Sequence, residues 1–303
     1  MTLHFATKLA AIAILTLAGA SALGGSAPPG AEPPLLGTKD YVARAAVPAD
    51  QRFEYGAGPS RFADLYLPPK GVRPLRTVVF FHGGCWRSEY GLDPVGGFCR
   101  ALADATGLAV LSVEYRRVGE DGGGWPGTFL DAGAALDFVD ELATKAALSR
   151  ERVTVSGHSA GAHLALWLAA RAGLPPSDPL RSPVRVRPSR VVALAPLADL
   201  LDVPGTPCGG ALDGLLGPLS LRDLRVRSAS PAARLPLGVT QVVVAGTRDR
   251  IAPIASVKRY AGKALGAGDR VTLVEIPSAG HFELVTPGSP AWPSVVEAFR
   301  DED

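Results

Sequence analysis

The sequence predicts an α/β fold with a mostly parallel central sheet of about eight strands, helices on both faces of the sheet and a small cap-like insertion. Three observations predict it. Short β-rich runs alternate along the chain with stretches of helical periodicity, as they do where crossover helices join parallel strands. Several runs, such as Val78-Val79-Phe80-Phe81 and Val242-Val243-Val244, are apolar without alternation, the pattern of strands covered on both faces. The third is a Gly-x-Ser-x-Gly, Gly157-His158-Ser159-Ala160-Gly161, set between the apolar run Val153-Thr154-Val155 and the apolar-rich segment from His163 to Ala169.

Along the chain, the first 22 residues have the character of an export signal. His4 and Lys8 precede an apolar run from Leu9 to Ala18 that is too short to span a bilayer, and Ala20-Ser21-Ala22 offers a small-x-small cleavage site. The rival is a retained membrane anchor, which needs about 20 apolar residues; Gly19, Gly24 and Gly25 interrupt this segment. Residues 23–58 are rich in Pro, Gly and Ala and are expected to be a flexible lead-in. The catalytic domain is expected over 59–303, with no membrane span in it.

Within that domain, strands are expected at Phe62–Leu67, Thr77–Phe81, Ala109–Glu114, Arg152–Ser156, Val191–Leu194, Gln241–Ala245 and Val271–Ile276. Between them Val95, Phe98, Leu102 and Ala105 fall at helical spacing, as do Phe129, Ala132, Leu136, Val139 and Ala143. The stretch 198–234 breaks the rhythm with Pro204, Pro207, Gly209-Gly210, Gly214, Gly217 and Pro218, and is expected to be a loop-rich cap over the site.

The 303 residues are 47% hydrophobic and 20% charged, enough for one large domain with a sizeable core. Loss of the signal removes Lys8 and no acid, taking the formal charge from +2 to +1. A nearly neutral chain has no electrostatic call on nucleic acid or an acidic membrane. Arg181, Arg185, Arg187 and Arg190 cluster, but with Pro183 and Pro188 among them they read as a solvated loop. Cys85, Cys99 and Cys208 show no Cys-x-x-Cys spacing, so neither a metal nor another cofactor is expected.

The Gly-x-Ser-x-Gly is where chemistry begins. Placed between strand and helix it is the pattern of a nucleophile elbow, although a plain glycine turn fits the same five residues. Ser159 therefore needs partners: a base, an acid to orient the base, and donors for an oxyanion. The base candidate is His281, after the run Val271–Ile276; the other histidines of the domain, His82, His158 and His163, sit in or beside the two glycine turns. The acid candidate is Asp249, after Gln241–Ala245, with Asp199, Asp202 and Glu283 as rivals. Upstream, His82-Gly83-Gly84-Cys85-Trp86 follows a strand, and its glycines allow backbone N–H groups to turn into a cavity beside that of Ala160.

These ordered motifs resemble those of the α/β-hydrolase superfamily, and within it the His-Gly-Gly-x-Trp group of kynurenine formamidase-like enzymes, feruloyl and acetyl-xylan esterase-like domains and relatives of hormone-sensitive lipase. The resemblance runs from about Phe62 to Arg300 and includes Glu114-Tyr115-Arg116-Arg117, Gly122-Gly123-Gly124-Trp125-Pro126-Gly127 and Gly280-His281-Phe282. It implies Ser159 as nucleophile, His281 as base and then acid, Asp249 as orienter, and the N–H groups of Gly84, Cys85 and Ala160 as the oxyanion hole. His82, Gly83, Trp86, Gly157 and Gly161 support the motifs. The lipase relatives usually carry a third glycine where this chain has Cys85, which moves the match toward the Gly-Gly-x-Trp group. Glu114 to Arg117 are expected to be structural, with Arg116 or Arg117 paired to nearby carboxylates. With Cys85 beside the pocket and Cys208 in the cap, a Cys85–Cys208 disulfide is the favoured pairing, leaving Cys99 as a buried thiol.

The resulting expectation is an exported, periplasmic or extracellular serine hydrolase, a carboxylesterase for small to medium esters that works through an acyl-enzyme on Ser159. The alternatives are an amidohydrolase of the arylformamidase type or a small peptidase, which the same triad would serve, and a non-catalytic binding module on the same fold.

Overall fold

A computed structural model describes residues 32–300 of the chain. The expected signal peptide and the start of the lead-in lie outside the described residues. In chain order the elements are α1 (Thr38–Val42), β1 (Gln51–Glu54), β2 (Phe62–Tyr66), β3 (Leu75–Phe81), α2 (Gly96–Thr106), β4 (Ala109–Val113), α3 (Gly127–Asp137) and α4 (Val139–Lys145). They continue with β5 (Leu148–His158), α5 (Ala160–Ala170), β6 (Arg190–Leu194), α6 (Leu212–Leu216), α7 (Leu219–Ala229), β7 (Thr240–Gly246), α8 (Ile254–Gly266), β8 (Val271–Ile276) and α9 (Trp292–Phe299).

The strands form one sheet in the order β1-β2-β4-β3-β5-β6-β7-β8. β2 pairs antiparallel with β1 and β4, and the remaining six strands run parallel, as expected of the fold. The path from β3 to β4 moves along the sheet in the opposite direction to those from β5 to β6 and from β7 to β8. Right-handed crossovers then put α2 on one face and α5 and α8 on the other. α2 packs with α9, and α5 with α3. Strands covered on both faces must be apolar throughout, and every residue of β4 and all but Arg76 of β3 are buried. α5 is buried on nearly all sides, which its sequence Ala-Gly-Ala-His-Leu-Ala-Leu-Trp-Leu-Ala-Ala allows.

Two expectations change. The lead-in expected over 23–58 is, from residue 32 on, built into the fold: it carries α1 and the edge strand β1, which pairs with β2 from Gln51↔Leu65 to Glu54↔Phe62. Its Pro and Gly content suggested a linker, but Tyr41 is buried and its backbone groups find partners in the body. The cap over 198–234 is helical rather than loop-rich, with α6, α7 and short 3-10 turns at Val203–Gly205, Gly209–Ala211 and Pro231–Arg234. Gly217 closes α6 with φ 79° and Pro218 precedes α7, while Gly209-Gly210 and Gly214 lie within the short helical turns.

Candidate active site

The candidate residues all lie at the C-terminal ends of parallel strands, where open α/β sheets place their ligands. Ser159 follows β5 directly and stands with φ 57° and ψ −118°, a left-handed backbone that a serine adopts only in a sharp turn. The flanking glycines make room for it. A Cβ on Gly161 would lie 2.0 Å from the Phe81 carbonyl oxygen, and one on Gly157 would lie 2.4 Å from the Gly161 carbonyl carbon. The Ser159 N–H donates to Leu194 O at 2.9 Å, fastening the turn to the end of β6.

The turn after β3 interlocks with this elbow. A Cβ on Gly83 would come within 2.9 Å of His158 Nδ1 and 3.2 Å of Ser159 Cβ, so that position admits only glycine. Gly84, Cys85 and Trp86 all have positive φ, at 112°, 51° and 58°. Two left-handed residues that are not glycine cost on the order of 1–3 kcal/mol each and must be held by their surroundings. The Trp86 indole N–H donates to His163 Nδ1 at 3.2 Å, Val118 N–H donates to Trp86 O at 2.7 Å, and Cys85 is in a disulfide with Cys208 of the insertion. Ala160, the remaining oxyanion candidate, is the first residue of α5, where N–H groups have no partner inside the helix.

His163 accepts that indole proton and donates from Nε2 to Ala229 O at 2.9 Å, so it is a neutral imidazole with its proton on Nε2. Burial lowers its pKa to about 4, against the small opposing pull of the Ala229 carbonyl. His82 contacts Gly83 O at 2.7 Å through Nδ1 and Glu114 at 2.8 Å through Nε2, and stacks on Tyr115. Burial alone would raise the Glu114 carboxyl, but the His82 charge and hydrogen bond, with Arg117, hold it below its ordinary value. Arg116 forms a fork with Asp131 at 2.7 and 2.8 Å, and Arg117 pairs with Glu120, the structural role expected of both.

Across the sheet, Asp249 follows β7 and His281 follows β8. Asp249 Oδ2 accepts from His281 Nδ1 at 2.6 Å, and Asp249 Oδ1 accepts from the N–H groups of Ile251 and Ala252 at 2.7 and 2.8 Å. The carboxylate is therefore fixed by its own turn, and it sets the imidazole tautomer with Nδ1–H, which leaves the lone pair on Nε2. The two loops are stitched together: Arg248 N–H donates to Ala279 O at 2.9 Å and Ser278 N–H to Thr247 Oγ1 at 3.0 Å. A Cβ on Gly246 would lie 2.4 Å from Ala279 O, so this approach also requires glycine.

The base loop reaches the elbow through His158. Its ring lies 4.4 Å from that of His281, and its Nε2 donates to the His281 carbonyl at 3.1 Å. Burial, then the neighbouring His281 charge, push the His158 pKa well below its ordinary value, so it stays neutral. The rival acids have other partners. Asp199 pairs with Lys263 at 2.7 Å and Asp202 with Arg259 at 2.9 Å, while Glu283 accepts from backbone N–H groups of Leu36 and Gly280. Sequence reasoning missed the parts played by His163, Gly246 and Glu283. Only Gly246, a glycine at a strand end just ahead of the acid, carried a signal. Among the described residues no group of three or more His, Cys, Asp or Glu side chains is placed to hold a metal, and no helix is long and apolar enough to cross a membrane.

Comparison with known proteins shows the family and the fold. The BD-FAE family model matches residues 63–257. Esterase LipC of Mycobacterium tuberculosis is 26% identical over 274 residues, covering 84% of this chain and 64% of LipC. Carboxylesterase NlhH of the same organism is 36% identical over 105 residues, which is 35% of this chain and 32% of NlhH. The chain thus spans less than two thirds of the length of either relative. Among solved structures, esterase B from Lactobacillus rhamnosis superposes with a TM-score of 0.70 at 23% identity over 86% of each chain. A carbohydrate esterase from gut microbiota superposes at 0.66 and 18% identity, over 82% of this chain and 95% of the other. With the family match running from β2 into α8, the chain belongs to the BD-FAE family and has the fold of the α/β-hydrolase esterases.

Proposed function

We propose that the protein is a serine carboxylesterase acting on small to medium carboxylic esters through an acyl-enzyme on Ser159. The observation that carries the reading is the 2.6 Å contact of His281 Nδ1 with a carboxylate whose other oxygen is held by two backbone N–H groups. That arrangement orients an imidazole and stabilises it once protonated. The mechanism follows. His281 Nε2 takes the Ser159 proton as Oγ attacks the carbonyl carbon. The negative charge that develops on the carbonyl oxygen is met by the N–H groups of Gly84, Cys85 and Ala160. Collapse expels the alcohol, which takes the proton from His281. Water activated by the same histidine then releases the acid.

The names of the relatives support ester chemistry over amide chemistry. The Cys85–Cys208 disulfide supports action outside the cytoplasm, since such bonds persist in oxidising compartments.

Ser159→Ala is expected to lower kcat on p-nitrophenyl acetate by at least about 10⁴-fold and to abolish fluorophosphonate labelling, with an unchanged circular dichroism spectrum. Full residual turnover would sink the proposal. A series of p-nitrophenyl esters of rising acyl length, run beside an aryl formamide and a feruloyl ester, ranks the substrates. Faster turnover of the formamide would replace the ester reading with the amide one.

A further inference from the structure

The described stretch from Glu32 to Arg44 is fastened first to Arg248, on the loop that carries Asp249, and then from Leu35 onward to the loop that carries His281. Glu32 pairs with Arg248 Nε at 2.9 Å, and Arg248 Nη1 donates to the Pro33 carbonyl at 2.9 Å. Leu35 lies against Gly280, where a Cβ would come within 3.1 Å of it. The Leu36 N–H donates to Glu283 Oε1 at 2.6 Å, while Glu283 Oε2 accepts from the Gly280 N–H at 3.1 Å. The Tyr41 ring stacks on Phe282 with centroids 5.0 Å apart and meets His158 at 6.3 Å. Arg44 closes the clasp by donating to Val285 O at 2.7 Å and to Thr286 Oγ1.

These contacts bracket His281. Gly280 precedes it, Phe282 follows it, and both are held from the N-terminal side. Glu283 is central because it is only 7% exposed and divides its two oxygens between the segments. A carboxylate is an expensive way to fill space in a protein interior, and removing its donors leaves the charge uncompensated. Here the donors are the backbone of the base loop and the backbone of the N-terminal segment, so satisfying the charge fixes one against the other.

We propose that residues 32–44 form a strap that positions His281, with Glu283 as the positioning residue that joins strap to loop. The proposal rests on the reading of His281 as the general base. An acyl-transfer base must meet the serine hydroxyl within hydrogen-bond reach, and displacement by about 1 Å can cost on the order of 10²-fold in rate. The imidazole has Asp249 on one nitrogen and His158 under its carbonyl. The strap removes the remaining freedom, that of the backbone on either side.

Two variants test this. Leu36→Pro deletes the single N–H that the strap gives to Glu283 and leaves every residue of the base loop in place. Glu283→Gln keeps the shape but turns an NH2 toward a backbone donor. Turnover of p-nitrophenyl acetate is measured per fluorophosphonate-labelled site, so that unfolded protein is not counted. The expected result in each is a kcat lowered by about tenfold or more with KM within about twofold of wild type. Wild-type kcat per labelled site in both variants, or fewer labelled sites matched by an equal loss of folded protein in the circular dichroism spectrum, overturns the strap. If the wild-type protein neither labels nor turns over ester, the catalytic reading falls, and the two failures are thereby distinguished.

Discussion

His163 shows how much one side chain behind the site can carry. It accepts a hydrogen bond from the Trp86 indole N–H, donates one to the Ala229 carbonyl, and so links the turn after β3, the helix α5 and the end of α7. That requires a neutral ring. Its pKa is lowered by burial to about 4, whereas in the unfolded chain it returns to about 6.5. The unfolded state therefore binds the extra proton first as pH falls. The contribution to stability is complete above about pH 6.5 and is lost between there and pH 4, amounting to about 3 kcal/mol. His158, depressed by burial in the same direction, adds to the effect. Urea midpoints at pH 7 and pH 4.5 should fall more steeply for wild type than for His163→Gln; equal slopes would refute the assignment. None of this was legible in the sequence, where His163 is one more polar residue in an apolar helix. The pairing of Asp249 with His281 was legible because order along the chain and position after a strand are local signals, whereas the partner of a buried ring is set by folding.

Strands with an apolar-rich run were the ones the sequence announced, at the sheet edge as well as inside it. Val271–Ile276 was expected and found with the same bounds, and β3, β6 and β7 differ from expectation by one or two residues at their ends. β1 was not expected. Gln-Arg-Phe-Glu has no apolar run, and its strand state comes from pairing with β2 at the sheet edge. α7 was not expected either, because Leu219–Ala229 is largely polar and Pro218 and Gly217 suggested a loop. The same insertion is bonded through Cys208 to Cys85, 123 residues away, at the turn whose N–H groups are proposed to hold the oxyanion. Freeing that turn should relax two left-handed residues, Cys85 and Trp86. Cys208→Ser is expected to lower kcat per labelled site by about tenfold and to weaken binding of a tetrahedral phosphonate, with product-acid affinity unchanged. An equal loss for both ligands would count against the turn being the target.

For the molecule as a whole, the far end of the helical layer is held by a buried ion pair. Arg171, 2% exposed at the end of α5, contacts Asp137 at 2.5 and 3.1 Å, and Asp137 Oδ1 also accepts from the N–H groups of Arg185 and Val186. Asp137→Ala leaves that guanidinium uncompensated and should cost about 3–5 kcal/mol in denaturant unfolding. Turnover per folded molecule should hold, because the length of α5, about 16 Å, separates Arg171 from the elbow. A large kcat loss would show that the helix transmits the change. The strap has a consequence in time as well as in space. Leu36 and Glu283 are 247 residues apart, so the clasp around His281 joins nearly the first described part of the chain to nearly the last. A ribosome therefore makes the turn after β3 and Ser159 well before it makes His281, and the loop carrying His281 arrives to find residues 32–44 already made. The clasp around His281 closes only when these two distant parts of the chain meet.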